Sequence, residues 1–250
     1  DSASPDLLQW EANTPPDPRL QGTGVRDNAI PELGGKTYIQ AWQDWIAALD
    51  ARMRHDGIAL IPNDGSFVTT WDTTDYTLTA GAFSEGYADP SFAEADWKRA
   101  TNQLLAFAAK GKIVILQNYL GSPDDVATRR YYLANYLLVK GDKTYLDYFA
   151  SGPLEWYPEW ALDFGAPATT GATVDDLAKG GVYRRDFANG IVLVNPSPSA
   201  VDVALGGTYQ RVVPTGGGAV AGAGSAPGSL SMQPVTSITV PATGAELLMK

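Results

Sequence analysis

Two carboxylates in the sequence stand where an extended apolar run gives way to a polar turn. Glu85 lies in GAFSEGYADP (81–90), just after a strand-like run over 76–83, and Asp27 lies in the short strand-like segment GVRDNAI (24–30). Cleavage of a glycosidic bond needs two flanking carboxyl groups, one to donate a proton and one to attack or to activate water. We therefore predict Glu85 and Asp27 as a catalytic pair. For Glu85 the alternative is a salt bridge or a helix cap.

Further acids, amides and aromatic residues follow the predicted strands. Amide side chains hydrogen-bond sugar hydroxyls, and the flat rings of Trp and Tyr pack against sugar rings. Asn and Asp are also common in turns and helix caps, so a structural role stays open for Asn28 and Asp64, and the two tryptophans fit a core equally well. The predicted substrate-binding residues are Asn28, Asn63, Asp64, Gln117, Asn118, Tyr119, Trp156 and Trp160.

The composition argues against several other chemistries. The 250 residues include no cysteine and a single histidine, His55, so thiolate nucleophiles, cysteine metal sites and a Ser-His-Asp mechanism are disfavoured. The formal net charge of −10 disfavours a nucleic-acid surface. No apolar run reaches the length of a membrane span, about 18 residues. We predict no cofactor and no metal; a calcium site at Asp64, Asp72 and Asp75 is the less favoured alternative.

Strand and helix patterns alternate between residues 23 and 180. Helical periodicity predicts helices at about 36–55, 91–110 and 123–140. Nearly continuous apolar runs predict buried strands at 57–63, 76–83 and 112–119, besides the one at 24–30 and a last unit in 145–165. This alternation predicts parallel strands with helical crossovers. Ligand sites in such folds lie beyond the carboxyl ends of the strands, where the residues named above stand.

The pattern changes on both sides of this region. Residues 1–22 are rich in Pro and polar residues and are predicted to be an irregular lead-in. From 181 to 250 the apolar residues alternate with period two, with turn signals at Asn189-Gly190 and Gly206-Gly207 and a Gly/Ala/Ser/Pro stretch at 214–230. We predict a small antiparallel β domain over 181–250, with one continuous strand pattern at 235–250.

The order of the segments GVRDNAI, IALIPNDGS, AGAFSEGYADP and GKIVILQNY resembles the carboxyl half of the TIM-like barrel in hypothetical glycosyl hydrolases related to family 114 and to the α-amylase-like barrels. The tail is similar to the β-sandwich that often follows such barrels. The resemblance implies an α/β fold: a partial (β/α)8 TIM-like barrel of about five β/α units over 23–180, then an antiparallel β-sandwich. It also implies Asp27 and Glu85 as the catalytic pair, with Asn28, Asn63, Gln117 and Asn118 lining the subsite. A complete barrel takes about 250 residues by itself, so the first three strands have no counterpart here.

These observations together predict a glycoside hydrolase of the retaining type with a carbohydrate substrate and no nucleic-acid or membrane partner. A non-catalytic carbohydrate-binding or degenerate barrel is one alternative, and a fragment that needs a partner chain to complete the barrel is another. An incomplete barrel leaves strand edges open, and this predicts a homo-oligomer. The first residue is Asp1, which favours a processed N-terminus; we expect a secreted or periplasmic protein whose leader is not in this chain.

Overall fold

The computed structural model describes residues 38–63, 79–150, 154–222, 224 and 226–250. The first half of this part alternates helices with strands. The helices are α1 (Tyr38–His55), α2 (Glu94–Ala109) and α3 (Val126–Val139), and the strands are β1 (Gly81–Glu85), β2 (Ile113–Tyr119) and β3 (Thr144–Phe149). All three helices lie within three residues of their predicted bounds, and β2 lies within one.

The three strands form a parallel sheet in the order β1-β2-β3. Side chains alternate between the two faces of a strand, so one face carries Val114, Leu116 and Tyr148, which are buried in the same core as Leu104 and Leu138 from α2 and α3. The other face carries the alternate residues and is more open. We call it the open face.

Residues 57–63, predicted as a strand, lie extended beside β1 but do not form one. The amide groups of Ala80 and Phe83 donate to the carbonyl oxygens of Leu60 and Pro62, and Asn63 alone makes a parallel bridge, to Phe83. Proline has no N–H group, so Pro62 cannot donate the return hydrogen bond of a parallel ladder. The strand prediction is therefore wrong for most of this segment, although its position next to β1 is the expected one.

The second half is dominated by a large antiparallel sheet. Its strands are β5 (Ala178–Lys179), β6 (Val182–Asp186), β7 (Gly190–Asn195), β8 (Val201–Thr215), β10 (Ser229–Val240) and β11 (Gly244–Met249). They lie in the order β10-β8-β11-β7-β6-β5. A separate antiparallel pair joins β4 (Glu155–Trp156) to β9 (Gly218–Ala219).

Several local predictions for this sheet can be compared with it. The turn at Asn189-Gly190 is confirmed, because it joins β6 to β7. The turn at Gly206-Gly207 is wrong: both residues lie inside β8, where the register with β10 shifts and Gly206 takes a φ of 75°. A register shift of this kind is a β-bulge, which glycine tolerates in the left-handed region. The strand predicted at 235–250 is two strands, with Thr243 in the turn between them.

Helix α3 covers the antiparallel sheet, with its buried face against β7 and β11. The opposite face of the sheet packs in a second buried cluster formed by strand residues alone, among them Ile191, Leu193, Val203 and Val240. The antiparallel sheet is confirmed, and the sandwich stays a prediction. Three parallel strands with interleaved helices are common to barrels and to open α/β sheets, so the partial barrel stays a prediction. None of the helices described is both long and apolar enough to span a lipid bilayer.

Two buried ion-pair clusters fasten α3 to later segments of the chain. Arg129 and Glu159 are fully buried and pair through two hydrogen bonds of 2.8 and 3.0 Å, and Arg129 also donates to the carbonyl of Gly216 at 2.9 Å. Glu246 on β11 accepts from Arg130 and from Arg211 on β8. These contacts hold the loop before β9 near the carboxyl end of the parallel sheet.

Candidate active site at the carboxyl edge of the parallel sheet

Glu85 is the last residue of β1 and points to the open face. Gly86 follows with a φ of 74°, a left-handed conformation that favours glycine, and its amide donates to the carbonyl of Gln117 at 2.8 Å. The chain therefore turns sharply away from the sheet just after the carboxylate. Glu85 is left half-buried at the edge of the sheet, where ligands bind in parallel α/β folds.

Both oxygens of the Glu85 carboxylate accept a hydrogen bond from a predicted site residue. Asn63 donates its side-chain amide to Oε2 at 2.7 Å, and Tyr119 donates its phenolic hydroxyl to Oε1 at 2.5 Å. The bond from Tyr119 and then the bond from Asn63 lower the pKa of Glu85, and partial burial opposes them only in part. The same contact raises the pKa of Tyr119. Glu85 is therefore ionised at neutral pH, and two hydrogen bonds fix the orientation of its carboxylate.

The next strands extend this site along the edge of the sheet. Glu85 pairs in register with Gln117 on β2, and Gln117 pairs with Asp147 on β3, so the three side chains form a row on one face. Neighbouring Cα atoms in such a row are about 4.8 Å apart. Gln117 also lies 3.4 Å from the hydroxyl of Tyr119, a long contact, and Tyr119 is 53% exposed.

The structure separates Asn118 from this group. Asn118 is buried on the opposite face of β2, and its amide donates to the backbone carbonyl of Tyr87 at 2.5 Å. Strand alternation explains this placement, because Gln117 and Asn118 are consecutive residues and must point to opposite faces. Asn118 thus stabilises the turn after Glu85 from the buried face of the sheet.

The two predicted tryptophans lie beyond the end of β3. Trp156 and Trp160 meet edge to face with ring centroids 5.9 Å apart. Trp160 is also half-buried, and it packs against the core residues Tyr148 and Tyr157 at 5.1 and 5.2 Å. Its indole Nε1 is buried without a hydrogen-bond partner among the described residues. Trp156 is half-buried in the short strand β4.

Sequence reasoning left Asp147 out of the predicted site. Partial burial of its carboxyl group and the negative charge of Glu155 raise the pKa of Asp147. Glu155 itself accepts from the backbone amide of Ala150 at 2.8 Å and from the hydroxyl of Tyr157 at 2.6 Å. The alternating pattern of TYLDYF (144–149) carried the signal for Asp147, because it places the aspartate on the same face as two aromatic residues.

Three predicted site residues, Asp27, Asn28 and Asp64, lie outside the described residues, as do Asp72 and Asp75 of the alternative calcium site. Among the residues described, no three His, Asp or Glu side chains come together in a group that could hold a metal ion. The predicted residues that the structure does bring together are Glu85, Asn63, Gln117 and Tyr119.

The described residues thus form a mixed α/β protein in which a hydrogen-bonded carboxylate lies at the carboxyl edge of a parallel sheet. Many enzymes belong to this structural class. Residues 1–191 match the model of a family described as hypothetical glycosyl hydrolase family 15 (GHL15), and the chain therefore belongs to this family. The predicted glycosyl hydrolase likeness is confirmed at this level. The relation to family 114 and the α-amylase-like barrels stays a prediction.

Curated proteins and solved structures give two further findings. None of the curated proteins compared matches this chain. Among solved structures the chain is similar to BpGH86A, a β-porphyranase of glycoside hydrolase family 86 from the human gut bacterium Bacteroides plebeius, with 12% identity and a TM-score of 0.38. The match covers 96% of this chain and 54% of the porphyranase chain, so this chain spans about half the length of that structure. A TM-score this low is below the level at which two folds count as alike.

Proposed function

We propose that this protein is a glycoside hydrolase in which Glu85 and Asp27 form the catalytic carboxylate pair. Membership of a glycosyl hydrolase family supports the reaction class. The observation that carries the role of Glu85 is its pair of hydrogen bonds from Asn63 and Tyr119, which orient both carboxylate oxygens and favour the ionised form. A salt bridge is not the explanation, because Glu85 forms no ion pair with any described residue.

The ionised state suits Glu85 to the role of nucleophile in a retaining reaction. One oxygen of Glu85 attacks the anomeric carbon and forms a glycosyl ester, while the bond to the leaving oxygen breaks and that oxygen takes a proton from Asp27. Asp27 then takes a proton from a water molecule that attacks the same carbon, and this step releases Glu85. The proton donor must be another group, because the lowered pKa leaves Glu85 unprotonated at neutral pH.

The remaining predicted residues have roles in the binding of the sugar. Gln117 and Tyr119 stand next to Glu85 on the open face, so they are placed to bond the hydroxyl groups of the sugar at the cleavage point. Asn63 orients Glu85, and Trp156 offers a half-buried ring beyond β3. Asn28 and Asp64 complete the proposed set. We further propose a carbohydrate substrate, a homo-oligomer and a secreted or periplasmic location.

A non-catalytic carbohydrate-binding protein is the second candidate. Two large aromatic side chains, Tyr119 and Tyr145, are 53% and 56% exposed on the face that bears Glu85, and exposed rings of this kind bind sugars without turnover. Hydrolysis of a panel of nitrophenyl glycosides separates the two candidates. The hydrolase predicts turnover of at least one glycoside, whereas saccharide binding without turnover of any glycoside favours the binding protein.

The role of Asp27 is tested by the variant Asp27→Asn against the control Asp142→Asn. Asp142 is exposed in the turn before β3, at the opposite end of the sheet from Glu85. Loss of general acid–base catalysis lowers kcat by about 10²–10⁴-fold, and this loss is expected for Asp27→Asn alone. Wild-type rates in Asp27→Asn would reject Asp27 as the partner and make Asp64 the next residue to test.

A further inference from the structure

Strand β3 presents an aromatic–acid–aromatic strip on the open face. Tyr145, Asp147 and Phe149 alternate along the strand and therefore share one face. Their register partners on β2 are Ile115, Gln117 and Tyr119, so the strip lies directly beside the proposed site. The two strips are in contact, because the ring of Phe149 meets the ring of Tyr119 edge to face at 5.1 Å.

Tyr145 and Asp147 in this strip are open to solvent and Phe149 is partly buried, whereas residues on the opposite face of β3 are more buried. Tyr145 is 56% exposed and Asp147 is exposed, whereas Thr144 and Tyr148 on the opposite face are buried in the core under α3. An exposed tyrosine on the open face of β3 adds little to the core, and the exposed acid beside it forms no ion pair with any described residue. Neither side chain makes a hydrogen bond or an ion pair in the part of the chain that the structure describes.

Sugars are recognised by this combination of groups. The C–H face of a pyranose packs on an aromatic ring, and its hydroxyl groups donate to a carboxylate, which accepts strongly through two oxygens. The amide of Gln117, the register partner of Asp147 on the next strand, can both donate to and accept from the neighbouring hydroxyl. Asp147 and Gln117 are in register on neighbouring strands and point to the same face, so they can contact one sugar ring together.

We propose that Tyr145, Asp147 and Phe149 form a further subsite, which binds an uncharged sugar unit of the chain whose glycosidic bond lies at Glu85. The position of this subsite relative to the cleaved bond rests on the proposed function. Its ability to bind a sugar does not.

The charges of the site disfavour an anionic sugar unit. Glu85, Asp147 and Glu155 bring three carboxyl groups to one edge of the sheet, and the charge of Glu155 already acts on Asp147. No lysine or arginine in the described residues pairs with Glu85 or Asp147. A sugar that carries carboxylate or sulfate groups would meet like charges at close range, and the net charge of −10 would add to the repulsion.

The test measures binding in the full chain with the Glu85→Gln substitution, so that no probe is consumed. Isothermal titration calorimetry uses cellotetraose, maltotetraose and xylotetraose as neutral probes and tetragalacturonate as the anionic probe. At least one neutral tetrasaccharide is expected to bind, and Asp147→Ala and Tyr145→Ala are each expected to weaken it about tenfold or more, the usual effect of losing hydrogen bonds to a charged group or a stacked ring. The control Asp142→Ala is expected to leave the affinity unchanged.

Several outcomes overturn the inference: no neutral probe binds, the affinity is the same in the Asp147→Ala and Tyr145→Ala variants, or tetragalacturonate binds more tightly than every neutral probe. Near-ultraviolet circular dichroism confirms that each variant is folded. Failure of the subsite and failure of the proposed function are distinguishable. Asp147-dependent binding in a protein that hydrolyses no glycoside rejects the hydrolase and keeps the subsite. Glu85-dependent hydrolysis with an unchanged KM in Asp147→Ala rejects the subsite alone.

Discussion

Tyr119 donates its hydroxyl group to Oε1 of Glu85 at 2.5 Å, and this bond joins the carboxyl ends of two neighbouring parallel strands. Tyr119 is 34 residues from Glu85 in the chain, so only the parallel pairing of β1 with β2 brings the two together. The bond is the largest cause of the lowered pKa of Glu85. It therefore keeps the proposed nucleophile ionised to lower pH than an ordinary glutamate.

The variant Tyr119→Phe is expected to move the acid limb of the pH–activity profile to higher pH. A lowered pKa keeps Glu85 ionised, and so active, below the pH at which an ordinary glutamate protonates; loss of the donor raises this pKa. Asn63→Ala is expected to move the limb in the same direction by less, because its bond is the smaller cause. The profile of kcat/KM against pH measures both shifts. An unmoved acid limb in Tyr119→Phe would show that Glu85 does not titrate in the rate.

The position of Glu85 at the end of a strand was predictable from the sequence. The positions of the residues around it were predictable only in part. The apolar run before Glu85 and the glycine after it place the carboxylate at a strand end, and Gln117 and Tyr119 are placed by the same pattern one unit later. Strand alternation, applied strictly, would also have turned Asn118 inward and Asp147 outward. The Arg129–Glu159 pair has no local signal, because the two residues are 30 positions apart and meet only through tertiary packing.

The errors in the β half have a common physical origin. A Gly-Gly pair between two strand-like runs is a strong local turn signal, but it cannot distinguish a hairpin turn from a bulge. The pairing of β8 with β10 on both sides of Gly206 makes this site a bulge, and that pairing joins residues far apart in the chain. Pro62 argued against the strand predicted at 57–63, because a residue without an N–H group weakens any strand prediction that includes it.

The variant Trp160→Ala is expected to destabilise the fold more than it weakens saccharide binding. Trp160 packs against Tyr148, Tyr157 and Trp156, so its removal leaves a cavity that costs about 3 kcal/mol, the lower end of the usual range because the ring is only partly buried. Trp156→Ala is the matched comparison, since both tryptophans are half-buried but Trp156 makes only the contact with Trp160 among these rings. Thermal melts beside calorimetric titrations measure the two effects. A stable Trp160→Ala protein that no longer binds saccharide would return Trp160 to the substrate platform.

Breaking the buried Arg129–Glu159 pair is expected to cost about 3–5 kcal/mol, because either single change leaves an unpaired charge in the core. Glu159→Gln and Arg129→Met test this by urea denaturation, and the double variant is expected to lose less than the sum of the two. The control is Arg52→Met, whose ion pair with Asp56 on α1 is largely exposed and is expected to contribute nothing measurable. A single variant as stable as the wild type would contradict the role of the pair as a fastening between α3 and the loop before β9.

The protein is expected to self-associate. In the described residues, β3 pairs with β2 along one edge, and its other edge has no described strand beside it. Open edges of apolar strands are normally covered, and a second copy is the commonest cover for a large apolar surface. Light scattering at micromolar concentration is expected to give at least twice the chain mass of 26.6 kDa. A mass equal to one chain across that range would refute self-association.

The hydrolysis rate of Glu85→Gln, measured beside wild type and Asp142→Asn, tests the proposed catalytic role of Glu85 most directly. The amide keeps the size of the side chain but cannot attack as a carboxylate, so kcat on the best nitrophenyl glycoside is expected to fall by about 10³-fold or more with the melting temperature unchanged. Asp142→Asn is expected to keep the wild-type rate. A loss of only a few-fold in Glu85→Gln, in a folded protein, would contradict the assignment of Glu85 as the catalytic carboxylate.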